Sequence, residues 1–333
     1  MSARSHPASV LYQGLDHGRP LPALSACEHF AGSEKLIAKA FALQAELGPI
    51  FDITCDCEDG APAGHERQHA EMIAARIMAD ENRHGRVGAR IHDITHPHWR
   101  DDLEAIVATA GTRLAYIVLP KVRGADDVVT QISALRDTQV AHGIPWAIPV
   151  HVLIETPAAL REAWQIAALP GVESLDFGLM DYVSAHHGAL PASTMRSPGQ
   201  FEHPLIVRAK CEIVVAALGN GIIPTHNVSV ELRDAELVRA DARRARQQFG
   251  FLRMWSIHPH QIRPIVEAMC PDFSEVSEAA EIIGAAQDAD WGPIRHAGTL
   301  HDRASFRYYW DLLRRAHGYG MILPDATLER FFS

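Results

Sequence analysis

Two carboxylates in this sequence follow successive short apolar runs, at positions where they can bind one metal ion. Glu155 comes directly after a run that ends at Ile154, and Asp181 comes two residues after a run that ends at Leu179. If the two runs are adjacent strands of a barrel, both carboxylates lie at the same rim. Oxygen ligands suit Mg²⁺, with Mn²⁺ as the alternative, and leave room for water and a chelating substrate. The sequence therefore predicts a metal site at Glu155 and Asp181.

Further charged residues accompany two earlier runs. Asp56, Glu58 and Asp59 come at the end of one run, and we expect them to act on the metal through bound water. Arg90 lies in the next run and can grip a substrate carboxylate through two parallel hydrogen bonds. A metal ion beside an arginine can hold a 2-oxo acid and polarise its carbonyl. We therefore predict a catalytic and substrate-binding role for Arg90.

Lys121 and His258 follow two other runs, and we expect both to bind substrate. Each also has a simpler interpretation, which is an ion pair for Lys121 and a hydrogen-bonded structural role for His258. A single Asp or Glu at a strand end is more often a helix cap or a salt-bridge partner. Charged groups are costly to bury unless they are paired or ligated, so their convergence at one rim favours an enzyme.

The apolar runs and the segments between them predict the fold. Amphipathic segments with helical periodicity alternate with eight short runs bounded by Gly, Pro or Asp. The predicted strands are Leu21–Cys27, Ile50–Cys57, Val87–His92, Leu114–Leu119, Pro149–Ile154, Ser174–Leu179, Ile222–Val228 and Arg253–Ile257. Eight strand–helix units in succession predict an α/β fold, a (β/α)8 TIM barrel. A doubly wound sheet normally carries a glycine-rich phosphate loop, and neither common form of that loop is present.

Capping signals mark several of the helices. Ser33 is expected to cap a helix that ends at Gly48, and Thr156 with Pro157 is expected to open another that runs to Ala168. A long charged helix is predicted over Glu231–Phe249. We predict a barrel domain over residues 1–270 and a helical extension over residues 271–333, packed on the barrel or on a neighbouring subunit.

Composition excludes several classes of protein. The 333 residues are 47% hydrophobic and 22% charged, as in an ordinary globular enzyme. A formal net charge of −10 argues against broad binding to nucleic acid or anionic membrane. We also expect no membrane span and no signal peptide, since no apolar run is long enough. Five scattered Cys, without the spacing of a zinc site, predict reduced thiols and a cytoplasmic enzyme.

Six segments, in order and at similar spacings over residues 20–270, resemble motifs of the citrate lyase β-subunit-like proteins of the HpcH/HpaI aldolase superfamily. They are Asp56–Pro62 (family D-L-E-D-A-V), Arg90–His92 (V-R-V-N), Val118–Val122 (L-P-K-V), Leu153–Thr156 (I-E-T), Phe177–Asp181 (F-G-x-x-D) and Ile257–Ile262 (I-H-P-S-Q-I). Malyl-CoA lyases and other acyl-CoA lyases belong to the same superfamily.

The resemblance implies reversible carbon–carbon cleavage of the aldol or Claisen type. It implies Mg²⁺ held by Glu155 and Asp181, metal-bound water held by Glu58 and Asp59, and a substrate carboxylate on Arg90. The products would be a 2-oxo acid, such as oxaloacetate or glyoxylate, and an enolate-derived acid or acyl-CoA. It also implies a trimer or hexamer and an acid/base Asp from the C-terminal segment, for which Asp302 is the candidate.

The sequence departs from the family where the thioester is expected to bind. The family opens with R-S-x-L-x-V-P, and the stretch Leu21–Glu28 lacks that arginine and proline. His92 replaces the asparagine of V-R-V-N, and His226 stands where Asp is usual near the end of strand seven. His92 and His226 are therefore further candidates for the general base. The leading hypothesis is a Mg²⁺-dependent carbon–carbon lyase that acts on a hydroxyacyl-CoA or a related hydroxy acid. The alternatives are a CoA-independent 4-hydroxy-2-oxo acid aldolase, a non-catalytic oxo-acid-binding subunit and a subunit that acts on a carrier-protein thioester.

Overall fold

The structure is a computed structural model that describes residues 5–12 and 21–333. The described residues form two compact units, one of residues 25–269 and one of residues 5–12, 21–24 and 270–333. We call them the barrel unit and the terminal unit. No helix among the described residues combines the length and the apolar character that crossing a membrane requires.

The barrel unit is a closed barrel of eight parallel strands, which confirms the predicted (β/α)8 fold. The strands are β1 Cys27–Ala31, β2 Phe51–Asp56, β3 Val87–Arg90, β4 Ile117–Leu119, β5 Val150–Ile154, β6 Val172–Phe177, β7 Ile223–His226 and β8 Arg253–Ser256. Each strand pairs with its neighbour in sequence, and β1 closes the ring on β8, with Cys27 opposite Met254.

The α-helices of the described residues are α1 Pro7–Val10, α2 Glu34–Leu47, α3 Glu66–Met78, α4 Trp99–Ala110, α5 Ala125–Ala141, α6 Pro157–Arg161, α7 Ala163–Ala167, α8 Leu179–Ser184, α9 Pro204–Gly219, α10 Ala235–Arg244, α11 Pro259–Met269, α12 Phe273–Asp288, α13 Arg303–Gly318 and α14 Asp325–Phe331; α1 and α12–α14 belong to the terminal unit. Ser33 accepts a hydrogen bond from the backbone N–H of Leu36 at 3.4 Å, and Gly48 ends α2 with a φ of 79°. Thr156 caps α6 through the backbone N–H of Ala159 at 3.0 Å. The predicted caps of both helices are therefore confirmed.

Two predicted helices differ from the observed ones. The helix predicted after Thr156 is two short helices, α6 and α7, which meet at Glu162. The helix predicted over Glu231–Phe249 starts at Ala235, because Asp234 accepts the backbone N–H groups of the first turn. Its last five residues, Ala245–Phe249, form a π-helix.

The first strand lies at Cys27–Ala31, later than the predicted Leu21–Cys27. The prediction follows apolar residues, but this strand carries two polar side chains that are fully or almost fully buried. Glu28 forms an ion pair with Arg253 at 2.7 Å, and His29 shares a hydrogen bond with Ser256 at 2.7 Å. Buried polar groups are tolerated when they are paired. The other seven strands agree with the predictions to within three residues at either end.

The interior of the barrel has a polar layer and an apolar layer. Glu28, Asp52, His151, Asp176 and Arg253 are almost completely buried and form the polar layer. Two residues further along three of the strands, Phe30, Leu153 and Trp255 form an apolar cluster together with Tyr116 and Val118. Inward side chains alternate along each strand, so the next level lies at the carboxyl rim of the barrel.

The terminal unit has its own hydrophobic core. Its helices α12, α13 and α14 surround Phe306 and Trp310, and Leu11 from the N-terminal segment packs into the same core. His6 hydrogen-bonds through Nε2 to the carbonyl oxygen of Phe331 at 3.1 Å. An antiparallel pair of strands, β9 Ile294–His296 and β10 Thr299–His301, precedes α13. Residues 5–12 thus pack with residues 270–333, whereas the predicted domain boundary assigns them to the barrel.

Candidate active site

A cavity of about 340 Å³ opens at the carboxyl rim of the barrel. Residues at or just after the ends of most of the eight strands contribute to its lining, as expected for the active site of this fold. Its residues are Phe30, Gly32, Leu36, Asp56, Asp59, Gly60, Arg90, Glu155, Phe177, Gly178, Leu179, Met180, Asp181, Asn227, Val228, Trp255 and Ile257. All of them belong to the barrel unit.

Glu155 and Asp181 meet in this cavity. Glu155 is 2% exposed at the end of β5, and Asp181 lies in the first turn of α8. Burial and then the negative charge of Asp181 raise the pKa of Glu155 to about 8. Within the described part of the chain, no Lys or Arg forms an ion pair with either carboxylate. The site therefore joins the buried carboxyl group of Glu155 to the half-buried carboxylate of Asp181, and a divalent cation would offset the cost of their negative charges.

Two glycines let the carboxylates of the site take their positions. A Cβ on Gly178 would lie 2.3 Å from Oε2 of Glu155 and 2.5 Å from its Cβ. A Cβ on Gly60 would lie 2.4 Å from Oδ2 of Asp56. A side chain at Gly178 would overlap the Cβ of Glu155, and one at Gly60 would require the carboxylate of Asp56 to shift. The glycine of the F-G-x-x-D segment is thus explained by its approach to Glu155.

Arg90 is held by two of the predicted acidic residues. Its Nε and Nη2 donate to the two oxygens of Asp56 at 2.7 and 2.6 Å, and its Nη1 lies 3.0 Å from Oε2 of Glu58. Asp56 also accepts the backbone N–H groups of Glu58 and Gly60, at 3.0 and 2.8 Å. Burial raises the pKa of Asp56, but the charge and hydrogen bonds of Arg90 outweigh it and leave the pKa lowered. Asp56 therefore fixes both the guanidinium and the loop after β2.

Lys121 contacts the site in two different ways. Its ammonium pairs with Glu58 and with Asp59, at 2.9 Å for the latter, which is the ion-pair interpretation of this residue. Its backbone N–H donates to Oε1 of Glu155 at 2.5 Å. Lys121 has a φ of 49°, in the left-handed region that is unusual for a residue with a side chain. The hydrogen bond from its backbone N–H shows that the backbone of Lys121 helps to position Glu155.

His258 lies outside the cavity lining, and its ring contacts His260 edge to face at 4.8 Å between centroids. The backbone N–H groups of Ile257 and His258 both donate to Oε1 of Gln261, at 2.9 and 3.2 Å. Nε2 of Gln261 donates to the backbone oxygens of Ser229 and Glu231 at 2.8 Å. The I-H-P-x-Q-I segment of this chain therefore joins β8 to the loop after β7, and a substrate contact for His258 stays a prediction.

The two histidines considered as bases have different surroundings. Nδ1 of His92 hydrogen-bonds to the buried carboxylate of Asp102 at 2.6 Å. Burial lowers the pKa of His92, but the bond and charge of Asp102 outweigh it and raise the pKa. His226 is fully buried against Lys210, and burial holds its pKa well below the usual range. Neither histidine lines the cavity.

Asp302 is the N-cap of α13 in the terminal unit. Its carboxylate accepts the backbone N–H of Ala304 at 2.9 Å, and Ser305 accepts the backbone N–H of Asp302 at 3.2 Å. This reciprocal arrangement is a capping box, which stabilises the start of the helix. The structural role of Asp302 is thus clear within its own unit, and its role in catalysis stays a prediction.

A second group of potential ligands lies deeper in the barrel and was missed by sequence analysis. Glu28, His151 and Asp176 each place one ligand atom within 4.8 Å of the others. Arg253 already pairs with Glu28 and with Asp52. Burial lowers the pKa of His151, but the neighbouring carboxylates outweigh it and raise the pKa to about 9. With two cationic side chains among these acids, we interpret the group as a buried ion-pair network rather than a metal site.

Comparisons with known proteins agree on one family. A family model described as HpcH/HpaI aldolase/citrate lyase matches residues 37–259. The L-malyl-CoA/beta-methylmalyl-CoA lyase of Cereibacter sphaeroides is 28% identical over 281 residues, which cover 79% of this chain and 86% of that protein. The malyl-CoA/beta-methylmalyl-CoA/citramalyl-CoA lyase of Chloroflexus aurantiacus is 24% identical over 81% of this chain and 82% of that protein.

Solved structures are similar over nearly the whole chain. A citrate lyase from Burkholderia xenovorans LB400 is 52% identical, covers 98% of this chain and 100% of its own, and superposes with a TM-score of 0.86. The protein CitE from Mycobacterium tuberculosis, solved with magnesium, acetoacetate and coenzyme A, is 22% identical with a TM-score of 0.67 and covers 89% of this chain and 99% of its own. The latter similarity concerns the fold.

Proposed function

The chain belongs to the HpcH/HpaI aldolase/citrate lyase family and is a carbon–carbon lyase, and we propose that it cleaves or forms a hydroxyacyl thioester with the help of Mg²⁺. The products of cleavage would be a 2-oxo acid, such as glyoxylate or oxaloacetate, and an acyl-CoA. The observation that carries this proposal is the presence of the carboxyl groups of Glu155 and Asp181 in the same cavity as Arg90.

The donor set fits Mg²⁺. Two carboxylates supply hard oxygen ligands without a Cys or His, and a divalent cation would offset the burial and the repulsion that raise the pKa of Glu155. The presence of magnesium in the M. tuberculosis protein agrees with this choice, and Mn²⁺ suits the same donors. When bound, the ion would polarise the carbonyl oxygen of the oxo acid and stabilise the charge that develops there.

Other side chains would bind the substrate and transfer the proton. Arg90 is fixed by Asp56 and Glu58, so its remaining N–H groups can hold a substrate carboxylate without reorganisation. In the cleavage direction a base removes the proton of the substrate hydroxyl, the carbon–carbon bond breaks, and the enolate that leaves takes up a proton. Asp302 and His92 stay candidates for the base.

Substitution of the two proposed ligands tests the assignment. We expect Glu155→Gln and Asp181→Asn each to abolish Mg²⁺ binding in calorimetric titrations and to abolish Mg²⁺-dependent turnover. Glu155→Gln removes a carboxylate that is unfavourable to bury, so the metal-free variant should melt no earlier than the parent protein. The exposed Glu46→Gln is the matched control and should bind Mg²⁺ normally. Normal Mg²⁺ binding by both site variants would overturn the proposal.

One observation favours the CoA-independent aldolase as a second candidate. Among the described residues that line the cavity, Arg90 is the single Lys or Arg, so the cavity itself holds no second cationic side chain for a further anionic group. Turnover of a free 4-hydroxy-2-oxo acid, with none of the corresponding thioester, would support the aldolase. Tight binding of an oxo acid without turnover of either would support a non-catalytic binding subunit.

Two further expectations belong to this proposal. We propose a cytoplasmic enzyme, and the five free thiols of the chain fit a reducing compartment. We also propose a homo-oligomer, a trimer or hexamer, and light scattering on the purified protein would measure its mass directly.

A further inference from the structure

The cavity has two walls of opposite chemistry. The polar wall consists of Asp56, Arg90, Glu155 and Asp181, on β2, on β3, directly after β5 and on α8. The apolar wall consists of Phe30, Leu36, Trp255 and Ile257, on β1, at the start of α2, on β8 and just after it. Strands β1 and β8 pair directly, so the apolar wall is continuous across the closure of the barrel.

The apolar wall has a rigid base and an accessible rim. The rings of Phe30 and Trp255 lie 4.5 Å apart between centroids, and Val118 and Leu153 belong to the same buried cluster. Leu36 and Ile257 at the rim are 47% and 46% exposed. Half-exposed aliphatic side chains in a cavity gain free energy when a ligand covers them, because apolar surface leaves water.

The two walls meet at Arg90. Its guanidinium carbon lies 5.2 Å from the centroid of the Phe30 ring, while its N–H groups bind Asp56 and Glu58. A substrate carboxylate held by Arg90 therefore has hydrocarbon surface beside it. The four aliphatic and aromatic side chains of the apolar wall supply little hydrogen bonding, so they match a part of the substrate without charge.

We propose that the acyl half of the substrate carries an alkyl substituent longer than methyl, on the carbon of the bond that breaks, and that this substituent lies on the apolar wall. This inference rests on the proposed lyase function. On cleavage the bond between the hydroxyl-bearing carbon and the alkyl-bearing carbon breaks, and its electron pair forms the enolate of the alkylated acyl group. That enolate takes up the proton, and the oxo acid leaves with its carbonyl.

The size of the cavity agrees with this substrate. A volume of about 340 Å³ lies within the range of roughly 300–1,000 Å³ that small-molecule pockets span. A single methyl group covers a small part of a surface made by two rings and two branched aliphatic side chains. An alkyl group of two or more carbons can reach from the paired rings to the rim.

Condensation with a series of thioesters tests the proposal. Glyoxylate is offered with acetyl-, propionyl-, butyryl- and pentanoyl-CoA in the presence of Mg²⁺, and kcat/KM is measured for each. We expect kcat/KM to rise by at least about fourfold for each added methylene up to butyryl, as burial of a methylene predicts. A flat series, or a series that favours acetyl-CoA, would contradict the proposal.

Variants of the rim show whether the preference comes from the apolar wall. Leu36→Ser and Ile257→Ser change half-exposed side chains, so the fold should persist. Each should lower the ratio of the butyryl rate to the acetyl rate by about fourfold or more, the effect of one buried methylene. Val140→Ser, at a side chain that is 80% exposed on α5, is the matched control and should leave the ratio unchanged. If all three variants keep the ratio of butyryl rate to acetyl rate of the parent protein, the preference does not come from the apolar wall, and the proposal is overturned.

A binding measurement separates this inference from the proposed function. The free acids 2-hydroxysuccinate and its 3-methyl, 3-ethyl and 3-propyl derivatives are titrated with Mg²⁺ present. Affinity that rises with alkyl length, together with no turnover of any thioester, would support the apolar wall and overturn the thioester reaction. Affinity that stays constant or falls with alkyl length, together with turnover of acetyl-CoA, would overturn the role of the apolar wall and support the thioester reaction. The absence of binding by every acid and of turnover of every thioester would overturn both.

Discussion

Gly178 shows how a residue without a side chain can define the site. It follows the last residue of β6, and any Cβ there would overlap Glu155 at 2.3 Å. The backbone N–H of Lys121 also donates a hydrogen bond to Oε1 of the same carboxylate at 2.5 Å. The position of Glu155 is thus set by contacts to two backbones, and a small displacement would separate it from Asp181.

We therefore expect Gly178→Ala to lower kcat/KM by about 100-fold, since misplacement of a reacting group by about 1 Å has that order of effect. The Mg²⁺ affinity should fall in parallel. Gly318→Ala is the control, because nothing lies within 4 Å of the added methyl and its φ is not in the left-handed region. Steady-state kinetics and calorimetry measure both effects, and equal behaviour of the two variants would contradict the steric argument.

Arg90 gives a second prediction at the same site. Its planar guanidinium binds both oxygens of Asp56 and still reaches Glu58, and a lysine ammonium cannot reproduce that geometry. We expect Arg90→Lys to raise KM for the oxo acid and to lower kcat/KM by at least about tenfold, the loss of roughly one good hydrogen bond to a charged group. Arg67→Lys, on the exposed face of α3, should have no effect on either constant. Both variants keep the positive charge, so normal kinetics of Arg90→Lys would show that charge alone suffices.

The strands carry charge inside the barrel as well as at its rim. Arg253 on β8 pairs with Glu28 on β1 and with Asp52 on β2, and all three side chains are buried. Such pairs contribute little net stability, but removal of one partner leaves uncompensated charge. The network therefore links the strands on both sides of the point where the barrel closes.

We expect Arg253→Met to lower the free energy of unfolding by about 3–5 kcal/mol, because Glu28 and Asp52 would lose their partner. Arg67→Ala breaks an exposed pair with Glu71 and should cost less than about 1 kcal/mol. Urea denaturation followed by circular dichroism measures both values. A loss for Arg253→Met no larger than that for Arg67→Ala would show that the two carboxylates find other partners.

His151 makes the stability of this network depend on pH. Burial lowers the pKa of His151, but its carboxylate neighbours outweigh that effect and raise the pKa to about 9, above an unfolded value of about 6.5. The protonated ring then stabilises the folded state fully below about pH 6.5, and this contribution is lost as the pH rises through about 9. We expect the free energy of unfolding of the parent protein to fall across that interval. The free energy of unfolding of His151→Gln should fall less steeply. Parallel pH profiles of the two proteins would contradict the assignment.

The molecule as a whole joins its N-terminal segment to its C-terminal helices. Leu11 is 3% exposed in the core formed by α12, α13 and α14, while the barrel closes within residues 27–256. The stability of the terminal unit should therefore depend on a residue that precedes the whole barrel in sequence.

We expect Leu11→Ala to destabilise the terminal unit by about 2–5 kcal/mol, the usual cost of truncating a buried leucine. Limited proteolysis should then cut residues 270–333 faster, while cleavage within residues 25–269 keeps its rate. Leu300→Ala, at a side chain that is 67% exposed, serves as the control. Unchanged cleavage of the C-terminal helices in Leu11→Ala would contradict the shared core.

Local patterns in the sequence were sufficient to predict the barrel and the residues at its rim. Strand length, helical periodicity and caps such as Ser33 and Thr156 depend on near neighbours, and the order of eight units then implies the closed sheet. The same order predicts the site residues Glu155, Asp181 and Arg90, because the carboxyl ends of the strands meet at one rim of the barrel. The tertiary structure decided what depends on distant partners: the burial of Glu28 in β1 by Arg253, the anchoring of Arg90 by Asp56 and Glu58, the position of His258 outside the cavity, and the packing of Leu11. Burial and pairing between residues far apart in sequence leave no periodic signal, because they depend on which surfaces the folded chain brings together.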